Sequence, residues 1–425
     1  MRTQVKRVVL INDRSKPVGG ASSLAILAAD LLCEKGLEVV FCCGDGGEEL
    51  AERRFKIVAI GGEPLVKKSR RSAFASGLYN PVSFGKLRHW IERNDSDGTV
   101  YHLHGWSKIL SPSIFRALHP VRHRVILHAH DYFLVCPNGG FTDFKRQVKC
   151  ELKPLSMSCL TTQCDKRNYS QKLWRCARQT VRGWYFNYRE AGTPIIMIHD
   201  RMAPFFERSG VPPEQLCTIR NPVELLSKDK MRPWENKAFF FIGRLEPEKG
   251  FEEAAEAARR AGVALRVIGD GPGRQLLERK YPEVQIHGWK SKSEMATELC
   301  EARAVVISSR VPEPFGLAAI EALAIGIPIV ITDHALLANE VATLGMGAKF
   351  RANDLGDCTR VLRELAESDA TIIDMSRNAI RLARSLATTQ DEWRDALIEQ
   401  YNMLLARQSG LADRPAAEVL PPSAS

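Results

Sequence analysis

The chain has 425 residues, of which 44% are hydrophobic and 26% are charged, a composition typical of globular proteins. Fibrous and intrinsically disordered classes are therefore excluded, and the length predicts two or three domains. Residues 1–220 hold 34 Lys and Arg against 20 Asp and Glu, whereas the remainder holds 26 against 30. This basic first half predicts an anionic partner, either nucleic acid or a membrane surface.

Neither export nor membrane insertion is predicted. The apolar run VVLI near the N-terminus is too short for the core of a signal peptide. The longest apolar tract, residues 317–331, contains Glu, Gly and Pro and falls short of the roughly 20 residues that span a bilayer. Eleven cysteines, an odd number, argue against a disulfide framework. We therefore expect a cytoplasmic protein with reduced thiols.

Short apolar runs alternate with amphipathic stretches through the first half. The predicted strands are RVVLI, LEVVFCC, TVYHLH, RVILHAH and TPIIMIH, and ASSLAILAADLLCEKG predicts a helix between the first two. This alternation is typical of βαβ units on a parallel sheet. It predicts a doubly wound α/β domain over residues 1–220. Residues 132–168, which are rich in Cys, Gly and Pro and lack periodicity, predict an irregular insertion.

The alternation starts again after the polar segment at residues 220–236. Its predicted strands are AFFFIGRL, ALRVIGDG, EVQIHGW, ARAVVISS and IPIVITD. They predict a second doubly wound α/β domain over residues 221–388. Residues 389–407 predict a C-terminal helix that packs back on the first domain, and residues 408–425 predict a disordered tail.

In doubly wound sheets, ligands bind at the carboxyl ends of the strands. The turns after four strands of the second domain carry residues suited to anion binding: Arg244 and Lys249, Gly269 and Gly271, His287, and Gly316. Glycines let a backbone approach a ligand closely, and a helix that opens at Gly316 presents free N–H groups. Each of these turns alone could be an ordinary surface turn that binds no ligand. Together they predict a phosphate site with two cations and a helix dipole.

The stretch EPFGLAAIEA places two carboxylates eight residues apart. Leu317 and Glu321 share a helix face, so Glu321 is predicted to point toward packed structure. A buried carboxylate needs partners, because an unpaired buried charge costs several kcal/mol. An ion pair between Glu321 and an Arg across a helix interface is one alternative, and a ligand-binding role is the other.

The stretches GRLEPEKG, GDGPG and EPFGLAAIEALAIGIPIVITD resemble the donor half of retaining glycosyltransferase family 4, which has the GT-B architecture. The resemblance is close over about residues 236–345 and looser over the N-terminal half. It implies two Rossmann-like domains that face each other across a cleft. It also implies a nucleotide-diphosphate sugar as co-substrate, with no metal and no other cofactor.

The resemblance also implies roles for particular residues. Arg244 and Lys249 match the pair that holds the diphosphate, and Glu321 matches the carboxylate that binds the ribose hydroxyls. Glu313 matches the carboxylate that grips the transferred sugar. Charged acceptors give the strongest hydrogen bonds to vicinal hydroxyls, which suits a carboxylate at each end of the donor. The predicted donor site also includes the neighbours of Gly316, namely Phe315 and Leu317.

The N-terminal half offers five further candidates. Gly19 and Gly20 resemble the glycine loop that lies against the diphosphate and acceptor, although a simple strand-to-helix turn is the alternative. His130 matches the active-site histidine that touches the transferred sugar, although a lone histidine is usually structural. Asp131 is expected to orient that loop. His104 follows a predicted strand at the same sheet edge and is a candidate acceptor contact.

Two features of the sequence resemble metal sites, and neither is favoured. Asp95 and Asp97 resemble the metal-binding DxD of the other large glycosyltransferase fold, but they lie in a polar turn before a strand. The second is a four-cysteine set that lacks the paired CxxC spacing of usual zinc sites, so free thiols are favoured over zinc there. Its members are Cys136, Cys150, Cys159 and Cys164.

One stretch departs from the family pattern. After the last predicted strand, where family members carry glycines, the chain reads HALLANE, which retains Glu340 but lacks the small residues. No sugar preference is therefore predicted.

The predicted function is retaining transfer of a hexosyl group to a glycan or lipid-linked acceptor, in bacterial surface polysaccharide biosynthesis. Alternatives are a GT-B nucleotide-sugar epimerase or phosphorylase, or a non-enzymatic nucleic-acid-binding protein. The chain shows no pyridoxal-phosphate lysine motif and no RNA- or DNA-binding module, so no nucleic-acid partner is expected. The basic segment, residues 65–74 (LVKKSRRSAF), predicts a mobile loop that binds an anionic membrane surface. We therefore expect peripheral attachment to the inner face of the membrane.

Overall fold

A computed structural model describes residues 4–17, 19–224, 226–227 and 230–408. The predicted tail therefore lies outside the described residues, apart from Gln408 at the end of the last helix. The described residues form two compact units: those within 4–128, 181–195 and 394–408 make one, and those within 129–180 and 196–393 make the other. The predicted domain boundaries, which follow the alternation of strands and helices, stay a prediction.

Strands and helices alternate through both units. The strands are β1 (Arg7–Asn12), β2 (Glu38–Cys43), β3 (Lys56–Ala59), β4 (Thr99–Leu103), β5 (Val125–Ala129), β6 (Thr142–Asp143), β7 (Val148–Lys149), β8 (Ile195–Met197), β9 (Leu216–Thr218), β10 (Ala238–Ile242), β11 (Leu265–Ile268), β12 (Gln285–Gly288), β13 (Ala302–Ile307), β14 (Ile329–Thr332) and β15 (Gly347–Phe350).

The helices are α1 (Gly20–Glu34), α2 (Arg70–Leu78), α3 (Pro81–Asn94), α4 (Ser113–Leu118), α5 (Met157–Thr161), α6 (Tyr169–Tyr185), α7 (Tyr188–Ala191), α8 (Ala203–Arg208), α9 (Phe251–Ala261), α10 (Arg274–Lys280), α11 (Lys292–Leu299), α12 (Leu317–Ala324), α13 (Ala338–Thr343), α14 (Leu355–Glu367), α15 (Asp369–Leu382) and α16 (Gln390–Gln408). Within the described ranges, none is both long and apolar enough to cross a membrane.

Two sheets carry the fold. The first has the strand order β3-β2-β1-β4-β5-β8-β9, and its pairs from β3 to β5 are parallel. The second has the order β12-β11-β10-β13-β14-β15 and is parallel throughout. In both sheets the strand order reverses partway, at β1/β4 and at β10/β13, as doubly wound sheets do. The predicted α/β fold class is confirmed.

The strands are near-continuous apolar runs because helices cover both faces of a parallel sheet. Every residue of β13 is buried, including Arg303, whose guanidinium bonds the carbonyl oxygen of Leu365 at 2.8 Å. One face of β10 packs against α9, where Phe239 and Phe241 meet Ala254 in a single core. The apolar periodicity of the sequence therefore places both sheets correctly.

The first unit includes the later part of α16. The Tyr401 hydroxyl lies 2.8 Å from Nδ1 of His102 on β4, and the Asn402 side chain accepts the N–H of Val5 at 2.9 Å. Both contacts lie beside the central strands of the first sheet.

Two irregular segments are more ordered than the sequence suggests. The predicted insertion contains the antiparallel hairpin β6/β7 and helix α5. The basic segment, expected as a mobile loop, forms a 3-10 turn at Leu65–Lys67 and the start of α2, so that prediction is wrong. Ser69 caps α2 by accepting the N–H of Ser72 at 3.4 Å. Because α2 buries little more than Gly77, no apolar period marks it in the sequence.

Candidate active site

A small pocket of about 30 Å³ opens at the strand-order reversal between β10 and β13. It is lined by the ends of both strands and by the turns after them: Phe241, Ile242, Lys249, Val306, Ile307, Ser308, Ser309, Glu313, Gly316, Ala318 and Ala319. In open α/β sheets this crevice is the usual ligand site. Three residues predicted from the sequence, Lys249, Glu313 and Gly316, meet here.

Lys249 and Glu313 form an ion pair at the pocket wall. Lys249 Nζ lies 2.7 Å from Glu313 Oε1, and the side chains are 25% and 19% exposed. The Ser309 hydroxyl donates to the other Glu313 oxygen. Burial alone would raise the pKa of Glu313, but the Lys249 ammonium, its hydrogen bond and the Ser309 hydroxyl together lower it. Glu313 is therefore ionised at neutral pH and holds Lys249 at the pocket.

Arg244 is the second predicted cation and is more exposed than Lys249. Its side chain is 69% exposed and pairs with Glu246 at 2.6 Å. Its charge also helps to lower the pKa of Glu313, which puts it within electrostatic reach of the pocket. An exposed guanidinium with one carboxylate partner keeps donors free to bind a phosphate in a bidentate manner.

The N-terminus of α12 supplies the third positive element. Gly316 is its N-cap with φ 71°, and no side chain caps the helix. The left-handed conformation is one that glycine adopts without strain. Ala318 and Ala319 of the first turn line the pocket, so the uncapped N–H groups and the helix dipole favour an anion there.

Glu321 is buried, as predicted, with 8% of its surface exposed. The alternative of an Arg partner is wrong. The partner of Glu321 is Lys292, whose Nζ lies 3.7 Å from Glu321 Oε1. The same Nζ also pairs with Glu224 Oε2 at 3.0 Å. Burial raises the pKa of Glu321, and Lys292 only partly offsets this effect. A buried carboxylate with one distant cation can still accept hydrogen bonds from hydroxyl groups.

The predicted glycines of the GDGPG turn have a packing role. A Cβ on Gly269, whose φ is 148°, would lie 1.9 Å from the Gly243 carbonyl oxygen. One on Gly271 would lie 2.9 Å from backbone atoms of Leu245. The turns after β10 and β11 can therefore touch only because both positions are glycine.

Three further donor-half candidates, His287, Phe315 and Leu317, are not among the residues that line the pocket. His287 Nδ1 lies 2.5 Å from Glu298 Oε2, and Lys290 pairs with the same carboxylate at 3.0 Å. Phe315 is buried and Leu317 is half-buried. These residues stay predictions as donor contacts.

The glycine-loop candidates lie at the start of α1. Gly19 is the helix N-cap with φ 85°, and Gly20 is the first helical residue. Both are exposed, and a Cβ on Gly19 would meet no atom within 4 Å. Backbone conformation, rather than crowding, therefore favours glycine at position 19.

His104 lies in a cluster of buried histidines. It is 6% exposed, and its ring centroid lies 4.1 Å from that of His102 and 4.8 Å from that of His128. A residue packed in this way has little surface to offer an acceptor. Its contact with the acceptor stays a prediction.

His130 directly follows β5. Burial lowers its pKa to about 3, so the imidazole is neutral at physiological pH. A neutral imidazole both donates and accepts hydrogen bonds, as a contact to sugar hydroxyls requires. The Asp131 carboxylate accepts the N–H of Phe133 at 2.9 Å, which holds the loop after the strand.

Two carboxylates noted in the sequence are engaged in ion pairs. Asp95 accepts hydrogen bonds from Arg124 at 2.7 Å and from the Tyr101 hydroxyl at 2.8 Å. Glu340 lies 2.6 Å from Arg220 and 3.0 Å from His199.

Among the residues that the structure describes, two sets of three metal-capable side chains lie with their ligand atoms within 4.8 Å of one another. The first is His102, His104 and His128; the second is His199, Asp200 and Glu340. Neither set includes a cysteine of the four considered for zinc.

Sequence reasoning missed Ser309 and Lys292. Both contact a predicted carboxylate, but Ser309 lies across a turn and Lys292 begins a different helix. It also missed Lys166, which pairs with Glu248 in the turn that carries Lys249. A run of polar residues near a motif is too common a signal to identify such contacts.

Residues 224–383 match the family model described as glycosyl transferases group 1. Glycogen synthase of Mycobacterium tuberculosis is 27% identical over 301 residues, which cover 67% of this chain and 69% of that protein. The putative colanic acid biosynthesis glycosyltransferase WcaL of Salmonella typhimurium is 28% identical over 233 residues, which cover 50% and 56% of the two chains.

The chain is a glycosyltransferase. The crystal structure of HepE from Anabaena in complex with UDP is similar in fold, with a TM-score of 0.66 at 15% identity, over 93% of this chain and 100% of that one. The predicted GT-B fold of this glycosyltransferase is therefore confirmed. The family match spans both predicted carboxylates, Glu313 and Glu321, and both predicted cations.

Proposed function

We propose that this glycosyltransferase moves a hexosyl group from a nucleotide-diphosphate sugar, with retention of anomeric configuration, to a glycan or lipid-linked acceptor. The observation that carries the proposal is the pocket at β10/β13, where Lys249, the ionised Glu313 and the N-terminus of α12 converge. A diphosphate needs positive charge, and a hexose needs strong acceptors for its hydroxyls.

The leaving diphosphate is stabilised by Arg244, Lys249 and the N–H groups at the start of α12. Lys249 and the N–H groups of α12 are in place before the reaction, so they stabilise the developing charge without reorganising. Lys249 is held in place by its 2.7 Å contact with Glu313, and Arg244 closes over the phosphates from the exposed side. This positive charge lowers the barrier to departure of the diphosphate.

The two carboxylates hold the ends of the donor. Glu313 accepts hydrogen bonds from the hexose hydroxyls and so orients the anomeric carbon. Glu321, buried and only weakly paired with Lys292, accepts hydrogen bonds from the ribose hydroxyls. The neutral His130 touches the transferred sugar. The acceptor attacks the face from which the diphosphate leaves, and a leaving phosphate oxygen takes its proton.

The acceptor and membrane parts of the proposal rest on the basic half. Lys67, Arg70 and Arg71 are exposed in the basic segment, together with the apolar Val66 and Phe74, which are 72% and 57% exposed. Cations near an anionic bilayer contribute about 1 kcal/mol each, and exposed apolar side chains add to binding. The segment suits attachment at a membrane that carries a lipid-linked acceptor. The name of WcaL, a colanic acid biosynthesis enzyme, supports a role in surface polysaccharide assembly.

The test uses the purified chain with a panel of nucleotide sugars. Binding to the folded state raises the melting temperature, which identifies the donor. With that donor, slow hydrolysis or transfer to a simple acceptor is followed by NMR, which reports the anomeric configuration of the first product. Retention supports the proposal. Inversion, or an epimerised nucleotide sugar, contradicts it.

A further inference from the structure

The segment before and within α6 buries a lysine among sulfur atoms. Lys172 is 1% exposed, and its Nζ lies 3.0 Å from Cys164 Sγ and 3.3 Å from Cys159 Sγ. A buried ammonium is costly unless it is paired with an anion. The nearby carboxylate of Asp165 is paired with Arg175 at 3.1 Å. A thiolate is therefore the anion that best accounts for a charged Lys172.

A third thiol, that of Cys176, completes the cluster. Lys172 and Cys176 are four residues apart on α6, so they share one helix face, and Cys159 on α5 contacts Lys172 on that face. Cys159 and Cys176 are both buried, and their side chains are hydrogen-bond partners. This hydrogen bond and the Lys172 ammonium hold the pKa of Cys159 well below its ordinary value. The same pairing raises the pKa of Cys176.

We propose that Cys159 and Cys176 form a reversible disulfide when the protein meets hydrogen peroxide, and that Lys172 is the positioning residue that keeps Cys159 as a thiolate. This is an oxidation site separate from the pocket at β10/β13. It requires two neighbouring thiols and a cation that stabilises one of them as a thiolate. The Cys159 and Cys176 side chains are hydrogen-bond partners, and Lys172 Nζ lies 3.3 Å from Cys159 Sγ.

The chemistry needs no reagent beyond peroxide. The Cys159 thiolate attacks one peroxide oxygen, the O–O bond breaks, and the departing hydroxide takes a proton and leaves as water. Cys159 is then a sulfenic acid. The Cys176 sulfur attacks the Cys159 sulfur, the S–O bond breaks, and a second water leaves. The two thiols have given two electrons and two hydrogens to the peroxide.

A structural metal at the same sulfurs is disfavoured by charge. The Lys172 ammonium already lies between Cys159 and Cys164, and a zinc ion there would face a cation in a buried site. Zinc also needs its thiolates to converge on one point, whereas the converging sets among the described residues contain no cysteine.

The test exposes the purified full chain to peroxide, blocks the remaining thiols and maps disulfides in peptides. We expect a Cys159–Cys176 crosslink, a mass lower by two hydrogens, and full reversal by dithiothreitol. Cys176→Ser should stop at a sulfenic acid on Cys159, which dimedone traps. Cys300→Ser, which removes an exposed thiol, is the matched control and should oxidise like the wild type. A crosslink from Cys159 to any other cysteine, no crosslink, or stoichiometric zinc in the untreated protein would overturn the proposal.

The role of Lys172 is tested by the pH dependence of the Cys159 oxidation rate. In the wild type the rate should change little between about pH 6 and pH 8, because the thiolate is already formed. In Lys172→Met it should fall roughly tenfold per pH unit below about pH 8.5, and Lys172→Arg should restore the flat profile. If Lys172→Met does not fold, the wild-type profile decides alone. A wild-type rate that rises steeply up to about pH 8.5 would contradict the thiolate assignment.

Discussion

Replacing Lys249 with Met removes the ammonium that lies 2.7 Å from Glu313 while keeping most of the side-chain volume. Two unit charges about 4 Å apart interact by about 4 kcal/mol at an effective dielectric constant of about 20. Losing one charge that stabilises a leaving group costs about 3 kcal/mol, which is roughly 100-fold in turnover. The pair is a fifth to a quarter exposed, so folding stability should fall by only about 1 kcal/mol.

The assay is steady-state transfer at saturating donor, with urea unfolding as the stability control. Lys280→Met is the matched variant, because Lys280 also pairs with a glutamate, Glu252 at 3.3 Å, but lies on an exposed helix surface. Its turnover should stay within about twofold of wild type. Near-wild-type turnover in Lys249→Met would refute the leaving-group role of Lys249. An equal loss in both variants would show that the assay reports general damage to the fold.

Three further predictions follow from the same structure. In steady-state kinetics, Glu321→Gln should raise the donor KM about tenfold with turnover retained, whereas Glu313→Gln should lower turnover. Equal small effects of the two variants would show that Glu321 has only a structural role. Because burial lowers the pKa of His130 to about 3, the unfolded chain binds its proton first, and stability should fall by up to about 1.4 kcal/mol per pH unit as pH drops from about 6.5 toward 3. His130→Gln should lose less stability over that range in urea unfolding, and identical pH profiles would contradict a neutral imidazole at His130. Changing all four cations of the basic segment to Ser should abolish sedimentation with anionic liposomes at low salt, while the wild type should pellet and be released at high salt; equal pelleting would exclude the segment as the anchor.

The sequence predicts the sheets well because apolar periodicity and burial have the same cause. Runs such as AFFFI and ARAVVI are buried on both faces, so each appears as a continuous apolar stretch. The strands that were not predicted, β3, β6, β7, β9 and β15, are short and contain polar or exposed residues. Helix α2 was missed for a related reason, since a helix that buries almost nothing has no apolar face to reveal it.

Only part of the candidate site could be predicted from the sequence. Lys249, Glu313 and Gly316 could be predicted to meet because the carboxyl ends of parallel strands share one sheet edge. The residues that pair with the two carboxylates and set their charge could not be predicted. Ser309 and Lys292 reach the carboxylates through turn conformation and helix placement, which leave no periodic signal in the sequence. For the same reason the predicted partner of Glu321 is wrong. The residue that pairs with Glu321 is the exposed Lys292, not an arginine across a helix interface.

The central claim is that a nucleotide-sugar diphosphate binds at the strand-order reversal of the second sheet. The most direct measurement is a crystal structure of the chain with the nucleotide sugar that raises its melting temperature most. We predict phosphate oxygens within hydrogen-bond distance of Lys249 Nζ and of the N–H groups at the start of α12, with the ribose hydroxyls on Glu321. A diphosphate bound away from Lys249 and α12, or a ribose that does not contact Glu321, would contradict the account.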